Sequence, residues 1–159
     1  MRIKYGKKIV WQRKDAWSMD LTLAPIIASG IKYFQEQIVQ LKKEGNGFVG
    51  VPSMKGFFEV DNSYDAAWDS EWELAWVEWH RRLDLMLYAF ENWQDSPTPG
   101  KGAINMEVGE ASDNGLHSCK ITHPDEAAYA EYQRLSDIHN EKTKLGMQYF
   151  SEHFADLWW

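Results

Sequence analysis

From Trp68 to Phe90 a bulky apolar residue returns every three or four positions: Trp68, Trp72, Trp76, Trp79, Leu83, Met86 and Phe90. A helix turns once in 3.6 residues, so this spacing stacks all seven on one face. Asp69, Glu73, Arg81, Arg82 and Glu91 fall mostly off that face. Such a stripe needs another apolar surface to lie against, because packing and not propensity supplies most helical stability. The pattern predicts a long helix over 64–94 within a multi-helix core.

Its neighbours are legible in the same way. Ile27, Ile31, Phe34, Ile38 and Leu41 predict a first helix over 19–44. Ser18 or Asp20 can cap it, Pro25 belongs near its start or at a kink, and Gly45-Asn46-Gly47 stops it. Residues 45–62 read as a loop with an extended piece around Phe48 to Val51. Tyr132, Leu135, His139, Gly146, Phe150, Phe154 and Leu157 predict a third helix from Pro124 to the C-terminus, with Gly146 as an interruption or bend. Asp125 and Glu126 suit the positive end of its dipole.

Ile3, Tyr5, Ile9 and Trp11 share one parity within residues 2–12, a strand pattern broken near Gly6. Residues 95–122 are polar and Gly-rich, and too long for a plain connector. Asp113-Asn114-Gly115 suits a hairpin turn between Ile104–Val108 and His117–Ile121, within 103–122. A variable or mobile loop over 95–122 fits the same composition. The expected fold is mainly α: three long amphipathic helices packed as a bundle in a single domain, 1–159, with a short N-terminal β element.

At 159 residues, 44% of them hydrophobic, the chain can bury a core without staples and is not disordered. The lone Cys119 fits a reducing compartment. Met1–Lys14 has no apolar run of the signal-peptide kind, and no segment approaches the ~20 apolar residues of a membrane span. A net charge of −7 argues against long nucleic acids, whose phosphates want a basic surface. The charge is uneven, however. Arg2, Lys4, Lys7, Lys8, Arg13 and Lys14 precede the first acid, Asp15. That end can serve as a local anion site, or simply as a solvated basic strand.

Three segments carry a family resemblance: DAWSMDLTLAPII (Asp15–Ile27), WHRRLDLMLYAFE (Trp79–Glu91) and YFSEHFADLWW (Tyr149–Trp159). Together they resemble a family of small tailed-bacteriophage proteins. The shared features are a Trp-Ser-Met-Asp helix start, a Leu-Asp-x-Met-x-x-Ala-Phe-Glu helix and a terminal Phe-x-x-Leu-Trp. The segments span about a quarter of the chain. The resemblance implies action in the cytoplasm of an infected bacterial host, and brings no catalytic residue with it.

The chemistry-bearing motifs are sparse. His117-x-Cys119-x-x-x-His123 has zinc-binding residue types but no second pair beside it. The Glu-x-x-His of helical di-metal sites does not occur. His139 on the third stripe and His80 beside the second read as hydrogen-bonded core histidines. There is no nucleophile elbow, no phosphate loop and no dinucleotide fingerprint. No catalytic residue, metal site or cofactor is therefore expected.

What remains is a surplus of nine tryptophans and a basic, aromatic N-terminus. Trp11, Arg13, Lys14, Trp17 and Asp20, with Arg81 and Arg82, supply stacking faces and countercharge for a small anionic nucleotide. In the plainer alternative, Ser18 and Asp20 cap the first helix while Trp17 staples it. The leading expectation is a non-enzymatic phage accessory protein that counters host antiviral defence by sequestering a nucleotide immune signal. A protein-binding module that docks a host or phage protein through exposed tryptophans is the alternative. A small metal- or carboxylate-dependent hydrolase is a third. The tryptophan excess also points to a homo-oligomer.

Overall fold

The computed structural model describes residues 2–4, 8–10, 19–48, 50–52, 67–112 and 115–157, with side chains described within 21–48, 50–52, 71–112 and 115–157. Its elements are β1 (Arg2–Lys4), β2 (Lys8–Val10), α1 (Met19–Lys43), α2 (Ala67–Glu91), β3 (Asn105–Ala111), β4 (His117–Thr122) and α3 (Glu126–His153). A single 3-10 turn, Phe154–Leu157, follows α3. The chain is mainly helical. Among the described residues no helix is long and apolar enough to cross a membrane. Contacts divide it into two compact units, residues 1–93 with 142–159, and residues 94–141.

In the first unit, β1 and β2 pair antiparallel with Ile3 opposite Ile9, and the break expected near Gly6 lies outside the described residues. Helices α1 and α2 lie against each other. The stripes meet as their spacing requires: Ile31, Phe34 and Ile38 of α1 and Trp79, Leu83 and Met86 of α2 are buried, and Ala24, Ala28 and Ala75 fill the narrower places. Pro25 sits inside α1, in its second turn. Trp72 and Trp76 are half-buried. Phe48 stacks on Trp72 at 6.0 Å and meets Trp76 at the same distance. Lys42 lies over both Phe48 and Trp76 while pairing with Glu73 at 2.8 Å.

Gly146 was expected to bend α3, but it lies inside the continuous helix and serves a different end. A Cβ there would collide with the Leu85 carbonyl oxygen and stand 2.6 Å from the Ala89 Cβ. The missing side chain lets α3 approach the α2 backbone closely. Phe90 and Phe150 meet edge to face at 4.7 Å nearby.

In the second unit, the hairpin alternative holds for its two strands, while Asp113 and Asn114 of the expected turn lie outside the described residues. Strands β3 and β4 pair antiparallel, Met106 opposite Ile121 and Val108 opposite Cys119. The register slips between Val108 and Ala111, a bulge at Gly109 and Glu110. Helix α3 starts two residues after Pro124 because Asp125 is its cap, its carboxylate accepting from the Ala128 N–H at 2.9 Å. The Asp125 N–H reaches the Gly102 carbonyl at 3.0 Å. His123 stacks on Tyr129 at 3.6 Å and donates through Nδ1 to the Ala103 carbonyl. The stripe expected along α3 is only partly covered: His139 is buried, but Leu135 and Phe154 are 40% and 52% exposed.

Candidate functional site

Of the seven residues named for a nucleotide, Trp11, Arg13, Lys14 and Trp17 lie outside the described residues, as does the side chain of Asp20. Arg81 and Arg82 are described, and the fold already engages both. Glu78, one turn earlier on α2, accepts from Arg81 through Nε at 2.7 Å and Nη2 at 2.8 Å. It also accepts from the Arg82 Nε at 2.9 Å. Arg81 continues to the Tyr149 hydroxyl at 3.1 Å. Both guanidinium groups flank the Tyr149 ring, 5.7 Å and 4.8 Å from its centre.

Arg82 also fixes a histidine. Its Nη1 lies 2.9 Å from the His153 Nε2, and a guanidinium can only donate. His153 therefore accepts at Nε2 and donates from Nδ1 to Asp156 at 2.9 Å. The ring is 4% exposed and packs edge-on against Trp79 at 5.1 Å. An imidazole with both nitrogens engaged in this way has no lone pair to offer a substrate.

The electrostatics follow from the same contacts. The Arg81 hydrogen bond, with Arg82 adding to it, draws the Glu78 carboxyl from 4.5 down to about 2 against the opposing effect of partial burial. Hydrogen bonding to Glu78, then to Tyr149, pushes Arg81 further above its ordinary range. A carboxyl depressed on folding stabilises the fold above its unfolded value and loses that contribution as pH falls toward the folded one. Glu78→Gln should therefore cost about 1 kcal/mol at pH 7, after discounting for the water that reaches the pair. Most of that difference should vanish between pH 4.5 and 2. Urea unfolding at pH 7 and pH 3 checks this, and an equal difference at both would remove the carboxylate from the explanation.

A second feature is concave and apolar. Ile26, Ile27, Ile31 and Phe34 of α1 face Phe150, Phe154 and Leu157 across a cavity of about 410 Å³. Gly30 leaves its floor open, and among the described residues of the lining Tyr33, 64% exposed, is the lone polar side chain. A shallower depression of about 670 Å³ adjoins it at Tyr33, edged by Lys32, Glu36 and Glu91. The volume is within the range of ligand pockets, ~300–1,000 Å³. With no charged group among the described residues of the lining, the cavity suits apolar side chains and not a phosphate.

Glycine inside a helix is unfavourable by about 0.5–1 kcal/mol relative to alanine. A Cβ at Gly30 would meet nothing within 4 Å. Gly30→Ala should then raise stability by about 0.5–1 kcal/mol in urea unfolding, and a loss would mean that the groove closes on itself in solution.

The other sequence candidates are tied up locally. His80 donates from Nδ1 to the Trp76 carbonyl at 3.0 Å and packs on the Trp76 ring. His117 donates to the Gly109 carbonyl at 2.9 Å. Among the described residues no three His, Cys, Asp or Glu side chains gather as a metal set. The described tryptophans of the α2 stripe, Trp72, Trp76 and Trp79, are packed and not displayed as anchors, while Trp93 is 42% exposed. Sequence reasoning missed the groove. Its one visible signal was Gly30, a costly residue in the middle of an apolar helical run.

No family model matches the chain, and no curated protein or solved structure matches it.

Proposed function

We propose that this chain is a non-enzymatic phage accessory protein that acts by docking a host protein, and that the groove between α1 and the Phe150–Leu157 segment is its docking surface. The observation that carries the reading is the pairing of an uncharged apolar groove with a charged border. A helix that fills the groove would place bulky apolar residues one turn apart, the usual helix-in-groove mode. Beside them it would meet Lys32, Glu36 and Glu91, a net negative edge on a chain of net charge −7. The partner is therefore a basic amphipathic helix. Resemblance of three segments to tailed-phage proteins supplies the setting, the cytoplasm of an infected bacterium, and interference with host defence as the purpose.

Gly30→Leu fills the groove from a position with open space, so it should leave the fold intact. Capture from host cells with the wild-type protein and with this variant is expected to differ by one protein that carries such a helix. Identical captures would overturn the assignment of the groove.

A second reading keeps the small anionic nucleotide. The flanking of Tyr149 by two guanidinium groups favours it, since an arginine pair beside an aromatic face suits a phosphate and a base. Glu78 opposes it by cancelling one of the two charges and occupying donors of both arginines. Thermal unfolding against mono-, di- and cyclic nucleotides separates the readings. A ligand at 100 times its dissociation constant should add about 2.7 kcal/mol of stability. If the groove is the site, none of them shifts the transition.

A further inference from the structure

We propose that the hairpin β3–β4 is a self-association surface, and that two copies of this chain pack the apolar faces of their hairpins against each other. Direct cross-strand partners project to the same side of a sheet. Met106 and Ile121 therefore share one face with Val108 and Cys119, while Glu107 and Lys120 share the other. Met106 and Val108 are 62% exposed, and Ile121 is 59% exposed. Cys119 is exposed as well. The apolar face is thus bare on a two-stranded sheet, a unit that is marginal in water without cover.

The register argues for cover on the face and not at the edge. The bulge at Gly109 and Glu110 breaks the regular spacing of β3, a device that blunts edge pairing. None of the four side chains Met106, Val108, Cys119 and Ile121 is an acid or a base, so two chains of net charge −7 can meet over them without setting like charges in contact. A fully buried aliphatic side chain corresponds to ~100 Å². The exposed fractions of Ile104, Met106, Val108, Cys119 and Ile121 then amount to on the order of 250 Å². Interfaces are roughly three-fifths apolar, which implies ~430 Å² per copy. Two copies reach roughly 850 Å², the size of a small, weak and transient contact. A two-fold arrangement uses the same patch twice and needs no second surface. It also brings Cys119 of one copy close to Cys119 of the other, since this residue lies within the patch.

The test is sedimentation equilibrium over a concentration series at low and high salt, together with crosslinking by a short bismaleimide. Wild type is expected to dimerise with a dissociation constant in the micromolar range, and salt should strengthen the dimer by screening the acidic bodies. Salt should instead weaken the docking of a basic helix in the groove, so the two surfaces are separable. Crosslinking should give a covalent dimer that Cys119→Ser abolishes. Met106→Lys with Ile121→Lys, both at exposed positions, should weaken association at least ~100-fold, by setting like charges together. Circular dichroism verifies that this variant is folded. A monomer at several hundred micromolar would overturn the proposal. So would a dimer indifferent to the two lysines, or one that fails to crosslink through Cys119.

Discussion

Trp79→Ala is expected to destabilise the protein by about 4 kcal/mol, the upper part of the range for truncating a core aromatic. Trp79 is 0% exposed and is the largest of the fully buried side chains described. It stands edge-on to Phe34 of α1 at 6.4 Å and to His153 at the end of α3 at 5.1 Å. One side chain therefore ties α2 to both segments. Its loss leaves a hole that flanking Leu83 and Met86, already fully buried, cannot fill from the same helix face. The effect should reach the charged cluster, because His153 rests on Trp79 while holding Arg82 and Asp156. For a chain of this length the midpoint of thermal unfolding should fall by about 8–16 °C. Denaturant unfolding with loss below 1 kcal/mol would mean that Trp79 is not the centre of this core.

Gly146→Ala should cost about 3 kcal/mol, against the sign of intrinsic helix propensity, which favours alanine by about 1 kcal/mol. The added methyl group would meet Leu85 backbone and Ala89 Cβ, and a backbone cannot turn aside as a flexible side chain can. Either α3 withdraws from α2 or the contact is strained. The matching change at Gly30 has open space and should stabilise. The same substitution in two helices thus gives opposite signs, and unfolding of both variants in urea compares them directly. If Gly146→Ala were stabilising, the close approach of the two helices would be wrong.

The helices were the most legible part of this chain, for a physical reason. A stripe from Trp72 to Phe90 has one period and one surface to satisfy, so spacing alone identifies Trp79, Leu83 and Met86 as core. The hairpin was legible through Asp113-Asn114-Gly115, though polar composition kept a mobile loop open beside it. Gly146 was misread. Sequence carries the cost of a glycine in a helix but not the neighbour that requires it. Arg81 and Arg82 were read as cations for a ligand although Glu78 is visible in sequence at helical spacing; their other partners, Tyr149 and His153, come from a distant segment. The groove was hidden for the same reason. Ile26 and Tyr33 lie beside the α1 stripe, and only the fold sets Phe150 and Leu157 opposite them.

The most direct measurement is site-specific photocrosslinking in infected cells, with benzoylphenylalanine in place of Tyr33 at the mouth of the groove. The expected product joins this chain to a host protein, through a peptide with apolar residues one helical turn apart and Lys or Arg beside them. It should disappear when Gly30→Leu fills the groove, with the unfolding temperature maintained or raised. A crosslink that persists in the Gly30→Leu protein, or the absence of any host product, would contradict the groove as the docking surface.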